Sequence, residues 1–151
     1  MFTATNRRVE NNTCESVNQQ IAQETRDRLR ELTRKGPQAV EERLRELDYE
    51  WDIERVLETN ASSLALTGII LAATVDRRWL VLPGLVTGFL LQHALQGWCP
   101  PLPLLRRMGY RTLTEINEER YALKAFRGDF KNTAGAGNKH DPARAIAAAS
   151  Q

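Results

Sequence analysis

Residues 59–75, TNASSLALTGIILAATV, and residues 79–105, WLVLPGLVTGFLLQHALQGWCPPLPLL, contain no Asp, Glu, Lys or Arg. Charge is dense in the rest of this 151-residue chain, 26% of all positions, so gaps of seventeen and twenty-seven residues are a segregation that chance seldom leaves. Between them stand Asp76, Arg77 and Arg78, enough to join two antiparallel helices. The expected fold is therefore all-α, a two-helix transmembrane hairpin over residues 58–105 flanked by amphipathic cytoplasmic helices.

Length is the first test of that expectation, because a bilayer core takes about twenty helical residues. Starting at Leu57 gives the first segment that length, with Glu58 and Asn60 left at an interface. In the second, Trp79 and Trp98 are nineteen residues apart, roughly 28 Å at a rise of about 1.5 Å, as interfacial anchors would be. Small residues are the second test. Ala61, Ala65, Gly68 and Ala72 share one helical face, and Gly84 with Gly88 forms a GxxxG pair. Such faces let helix backbones approach closely in lipid.

Outside the apolar stretch the chain reads as helices and ends. Residues 1–15 are expected to be a flexible N-terminus, and residues 16–57 two amphipathic helices punctuated by Gly36 and Pro37. Ser16 with Gln19 has capping-box spacing at the start of the first, whose apolar stripe is Val17, Ile21, Leu29 and Leu32. The second carries Val40, Leu44, Leu47 and Trp51 and is expected to run on into the hairpin. Pro100, Pro101 and Pro103 end the hairpin. Residues 106–130 are expected to be a cytoplasmic helical segment, opened by Thr112 and Glu115 and closed by Gly128, and residues 131–151 a disordered tail.

Charge gives an orientation and excludes some functions. Arg43, Arg45 and Arg55 precede the hairpin and Arg106, Arg107, Arg111, Arg120 and Lys124 follow it, against Arg77 and Arg78 in the turn. The positive-inside bias then places both termini in the cytoplasm. A net charge of +2 without a basic stripe argues against nucleic acid. Residues 1–10 have no apolar core of a cleavable signal, so entry into a membrane is expected to use the internal segments.

The stretch from Trp79 to Pro100, with Gly84, Gly88 and the ending Gly97, Trp98, Cys99 and Pro100, resembles the YgaP-like transmembrane domain, a bacterial inner-membrane helical hairpin of undefined function. The resemblance covers about residues 57–108. It implies an inner-membrane location and association into dimers. Because members of that family are found fused to a rhodanese domain, it also implies a link to sulfur handling. This chain departs from the sulfur chemistry: a rhodanese loop places a basic residue five positions after its cysteine, whereas Cys14 is followed there by Gln19 and Cys99 by Leu104.

Candidate chemistry is sparse. Cys99, in the motif Gly97, Trp98, Cys99, Pro100, is a thiol at a helix C-terminus, where an anion is disfavoured, so an inert packing role is preferred to a sulfur or redox relay. His93, flanked by Gln92 and Gln96, suits interhelical hydrogen bonding better than half a zinc site. The carboxylates Glu41 to Glu58 alternate with Arg43, Arg45 and Arg55, the pattern of a solvated face that can meet a partner. No P-loop, dinucleotide fingerprint or nucleophile elbow occurs, and no enzyme activity, cofactor or metal is expected. The expected function is that of a self-associating interaction or scaffold protein. Its expected partners are membrane lipid, further copies of itself and a cytoplasmic protein. A soluble helical-bundle adaptor with the hairpin as its core is the alternative.

Overall fold

A computed structural model describes residues 7–130, and every regular element among them is a helix. In chain order these are α1 (Arg8–Asn11), α2 (Glu15–Lys35), α3 (Pro37–Tyr49), α4 (Ile53–Thr74), a 3-10 turn (Arg77–Leu80), α5 (Val81–Gln96), α6 (Leu102–Arg107) and α7 (Leu113–Arg127). The tail expected at residues 131–151 lies outside the described residues.

Several helix ends follow the chemistry of their termini. Gly36 takes a φ of 97° between α2 and α3, with Pro37 in the first turn of α3. Thr112 and Glu115 form a complete capping box on α7, and Gly128 ends that helix in the left-handed region at φ 92°. The box expected at Ser16 and Gln19 does not form. Helix α2 begins one residue earlier, with Cys14 in the cap position, and the Gln19 amide instead donates to Glu15 at 3.0 Å.

Three boundaries differ from the sequence expectation, each for a packing reason. The second amphipathic helix stops at Tyr49 because Glu50 turns extended and Asp52 caps a new start, accepting from the Arg55 N–H at 2.8 Å. The Ile53 N–H, left free by that break, donates to the Arg111 carbonyl at 2.9 Å. Residues 8–11, within the stretch expected to be flexible, form a helical turn that buries Val9. Finally, the chain leaves the α4 and α5 pair at Gly97 rather than at residue 105. Beyond it Cys99, Leu102 and Leu105 pack with Val9, Ile53, Val56 and Leu57 in one apolar core.

A second core joins Val40, Leu44 and Leu47 of α3 to Ile116 and Leu123 of α7, with Leu29 and Leu32 of α2 against it. Helices α2, α3, α6 and α7, α1 and the first turns of α4 thus form a charged helical base. The remainder of α4 and α5 pack on each other.

This base has an ionic interior. Glu119, with no exposed surface, accepts from Arg28 at 3.0 Å, from Arg43 at 2.9 Å and from Arg111. Arg111 also donates to Glu50 at 2.7 Å, and Arg43 reaches the other oxygen of the same carboxylate at 2.9 Å. Burial alone would raise the Glu119 carboxyl, but hydrogen bonds from Arg43 and the charge of Arg111 hold it below its ordinary range. Arg106, also buried, forks onto Glu115 with two bonds of 2.7 Å and donates to the Tyr110 carbonyl at 3.0 Å.

Candidate functional site

The face that α4 turns toward α5 is the one with small side chains. Ala61, Ala65 and Ala72 are half-buried and Gly68 is buried, while Leu64, Leu66, Ile69 and Ile70 on the same helix are exposed. On α5 the inward residues are Leu82, Pro83, Val86, Leu90 and His93, at helical spacing. Gly68 is the point of closest approach: a Cβ built there would lie 2.5 Å from Pro83 Cδ and 3.2 Å from Leu82 Cβ.

Gly84 and Gly88 do not share that contact. A Cβ at either position meets nothing within 4 Å, so the GxxxG face of α5 points away from α4. Beside it the large side chains face outward, with Leu91 exposed to 62% and Leu66 of α4 to 59%. Trp79 lies in the 3-10 turn at the far end of the pair and Trp98 at its base, both exposed. Among the described residues two helical stretches are long and apolar enough to cross a membrane, with mean hydropathy 1.4 over an 18-residue window of the one containing α4 and 1.2 over such a window within Arg77–Gln96. Little of either apolar stretch is covered by the chain itself.

The structure encloses one of the two thiols and exposes the other. Cys99 is only 4% exposed, outside the apolar helices and inside the core of the base, and burial pushes its thiol up. Pro100 and Pro101 turn the chain there, so Leu102 and Leu105 cover it against α4. Cys14 is exposed at the start of α2, and the Ser16 hydroxyl, 3.2 Å away, holds its thiol below the ordinary range. The signal that could have identified it is its place before a long helix, where backbone N–H groups favour an anion.

His93 is 5% exposed, and neither ring nitrogen has a hydrogen-bond partner among the described residues. No three His, Cys, Asp or Glu side chains converge as metal ligands among the described residues. On the charged base, Trp51 is exposed at 44%, and the Arg55 guanidinium stacks 4.5 Å from its ring centroid. No family model, curated protein or solved structure matches this chain.

Proposed function

We propose that this chain is an interaction protein of the bacterial inner membrane. In this reading α4 and α5 cross the bilayer as a hairpin, and the charged base lies in the cytoplasm with both termini. Copies self-associate through Gly84 and Gly88, and Trp51 with the acidic surface of α3 is offered to a cytoplasmic protein. No catalytic role is assigned. Membership of the YgaP-like family, proposed from the run Trp79 to Pro100, agrees with this assignment.

The observation that carries the reading is the outward direction of the apolar side chains. Twelve large ones on α4, α5 and their turn are exposed, among them Leu66, Ile69, Ile70, Leu85, Phe89 and Leu91. If burying such a residue fully contributes about 1.5–3 kcal/mol, leaving all twelve half-wet forfeits on the order of 10–20 kcal/mol. That is as large as the whole stability of a typical domain. Lipid removes the deficit. A soluble bundle with this pair as its core draws no support, since a core helix would turn these side chains inward. A Cys99 relay draws none either, because its thiol is enclosed.

Orientation and span are tested together by single cysteines in a chain otherwise lacking them. Arg77→Cys should react with a membrane-impermeant thiol reagent added to intact cells, whereas Leu66→Cys and Leu91→Cys should stay unlabelled. Labelling of Leu91→Cys to the same extent as Arg77→Cys rejects the span. For self-association, Gly84→Ile with Gly88→Ile should reduce crosslinked dimer in membranes, and an undiminished dimer removes the proposed contact.

A further inference from the structure

The junction where α1 meets the base of α4 and the last turn of α5 holds a buried titratable group that the reading above does not use. His93 sits there with both ring nitrogens enclosed and unpartnered, and the buried Nε of Arg8 also has no partner among the described residues. Buried polar atoms without partners are uncommon and mark places where a ligand, water or a changed protonation state completes the set. An imidazole has one donor and one acceptor when neutral and two donors when protonated, so gain of a proton alters what this junction can satisfy.

The surroundings make that change consequential. Helix α1 is tied to α4 by the Arg8 guanidinium, which donates to Glu54 at 2.7 Å. It is tied to α5 by Asn12, whose amide donates to the Gln96 carbonyl at 2.8 Å. The approach is close, since a Cβ on Gly97, one turn beyond His93 on the same face, would lie 2.6 Å from the Arg8 carbonyl oxygen. The charged groups that act on His93 are Arg8 from α1 and Glu54 and Glu58 from α4; its helical neighbours Gln92 and Gln96 do not titrate.

We propose that His93 is a proton-operated latch for α1. With His93 neutral, Glu54 is free to hold Arg8 and α1 stays docked. A proton on His93 creates a cation in the last turn of α5, where the helix dipole favours it. That cation repels Arg8 and draws Glu54 toward itself, so α1 is released as pH falls through the titration of His93. The latch rests on the packing of α1 against α4 and α5, and it holds whether or not the pair lies in lipid.

The test uses the full chain in a mild neutral detergent with Cys14→Ser and Cys99→Ala, carrying spin labels at Asn11→Cys and Leu95→Cys. Distance distributions are measured at pH 8 and pH 5.5. The expected result is one narrow distance at pH 8 and, at pH 5.5, a second longer population increased about fivefold, the scale of one partly exposed ion pair. His93→Gln should remain narrow at both pH values, and Glu54→Gln should show the longer population at both. An unchanged distance in the parent chain overturns the latch, as does the same broadening in His93→Gln. Should His93→Gln fail to fold, the midpoint of the broadening is compared with the titration of His93 read by exchange at its C2 position. Coincident midpoints support the latch, and separated midpoints overturn it.

Discussion

Replacing Gly68 and Gly88 by alanine, one at a time, separates the contact inside the helix pair from the face left open. Both changes are Gly to Ala within a helix, so the gain in helix propensity, up to about 1 kcal/mol, is common to the two and cancels in their difference. What remains is the new methyl group. At Gly68 it would stand 2.5 Å from Pro83 Cδ and 3.3 Å from Pro83 N. Carbon pairs settle near 3.5–4.0 Å, so α5 must retreat by about 1 Å, and a gap of that size forfeits a quarter to a half of each affected contact. A proline ring and a backbone nitrogen have no rotamer to move into, so the cost belongs with overpacked cores, about 1–3 kcal/mol. At Gly88 the methyl group meets nothing within 4 Å. Gly68→Ala is therefore expected to be less stable than Gly88→Ala by about 1–3 kcal/mol. Reversible unfolding by sodium dodecyl sulfate in mixed micelles, followed by circular dichroism at a dilution where the chain is monomeric, measures that difference. Equal stabilities, or greater damage from Gly88→Ala, would refute the packing described for α4 and α5.

In the base, Glu119→Gln removes the charge that three arginines surround and is expected to destabilise by about 2–3 kcal/mol in chemical unfolding, because Arg43 and Arg111 keep Glu50 but lose the fully buried carboxylate. The sign of the accompanying pH dependence follows from the lowered carboxyl of Glu119: its contribution is present above the ordinary value of 4.5 and is lost as pH falls through the lower folded value. Stability of the parent chain should fall over that acid range more steeply than that of the variant. Thr112→Ala, which breaks the capping box of α7 and its 3.2 Å contact with Glu10, should cost about 1 kcal/mol by the same unfolding assay. Alkylation at neutral pH should modify Cys14 at least about tenfold faster than Cys99, with Cys99 becoming reactive only on unfolding, and equal rates would contradict the burial of Cys99.

The helical class and the two apolar segments were legible because a membrane-length run without charge is a one-dimensional signal. The ends at Gly36, Thr112 and Gly128 were legible because each is a local matter of capping or positive φ. The ionic interior was not. Arg43, Glu46 and Glu50 alternate like a solvated face, and the Arg43 to Glu46 bond at 2.9 Å is a surface pair of that kind. Yet Arg43 and Glu50 also turn inward, because Arg111 and Glu119 arrive from more than sixty positions away. Nothing in the local pattern announces that meeting. Helix α1, four residues long, is too short to show a period, and it is held by Val9, Arg8 and Asn12 through contacts distant in the chain. For Cys99 the position after α5 is visible in the sequence, but the turn at Pro100 and Pro101 that carries it beneath α4 is a tertiary event.

Extraction of membranes from expressing cells with alkaline carbonate addresses the identity of the solvent around Leu66 and Leu91 most directly. The full chain should remain in the washed membrane pellet and enter solution only when detergent is added. Release into the carbonate supernatant, followed by a clear and monodisperse fold in detergent-free buffer, would contradict the placement of α4 and α5 in lipid.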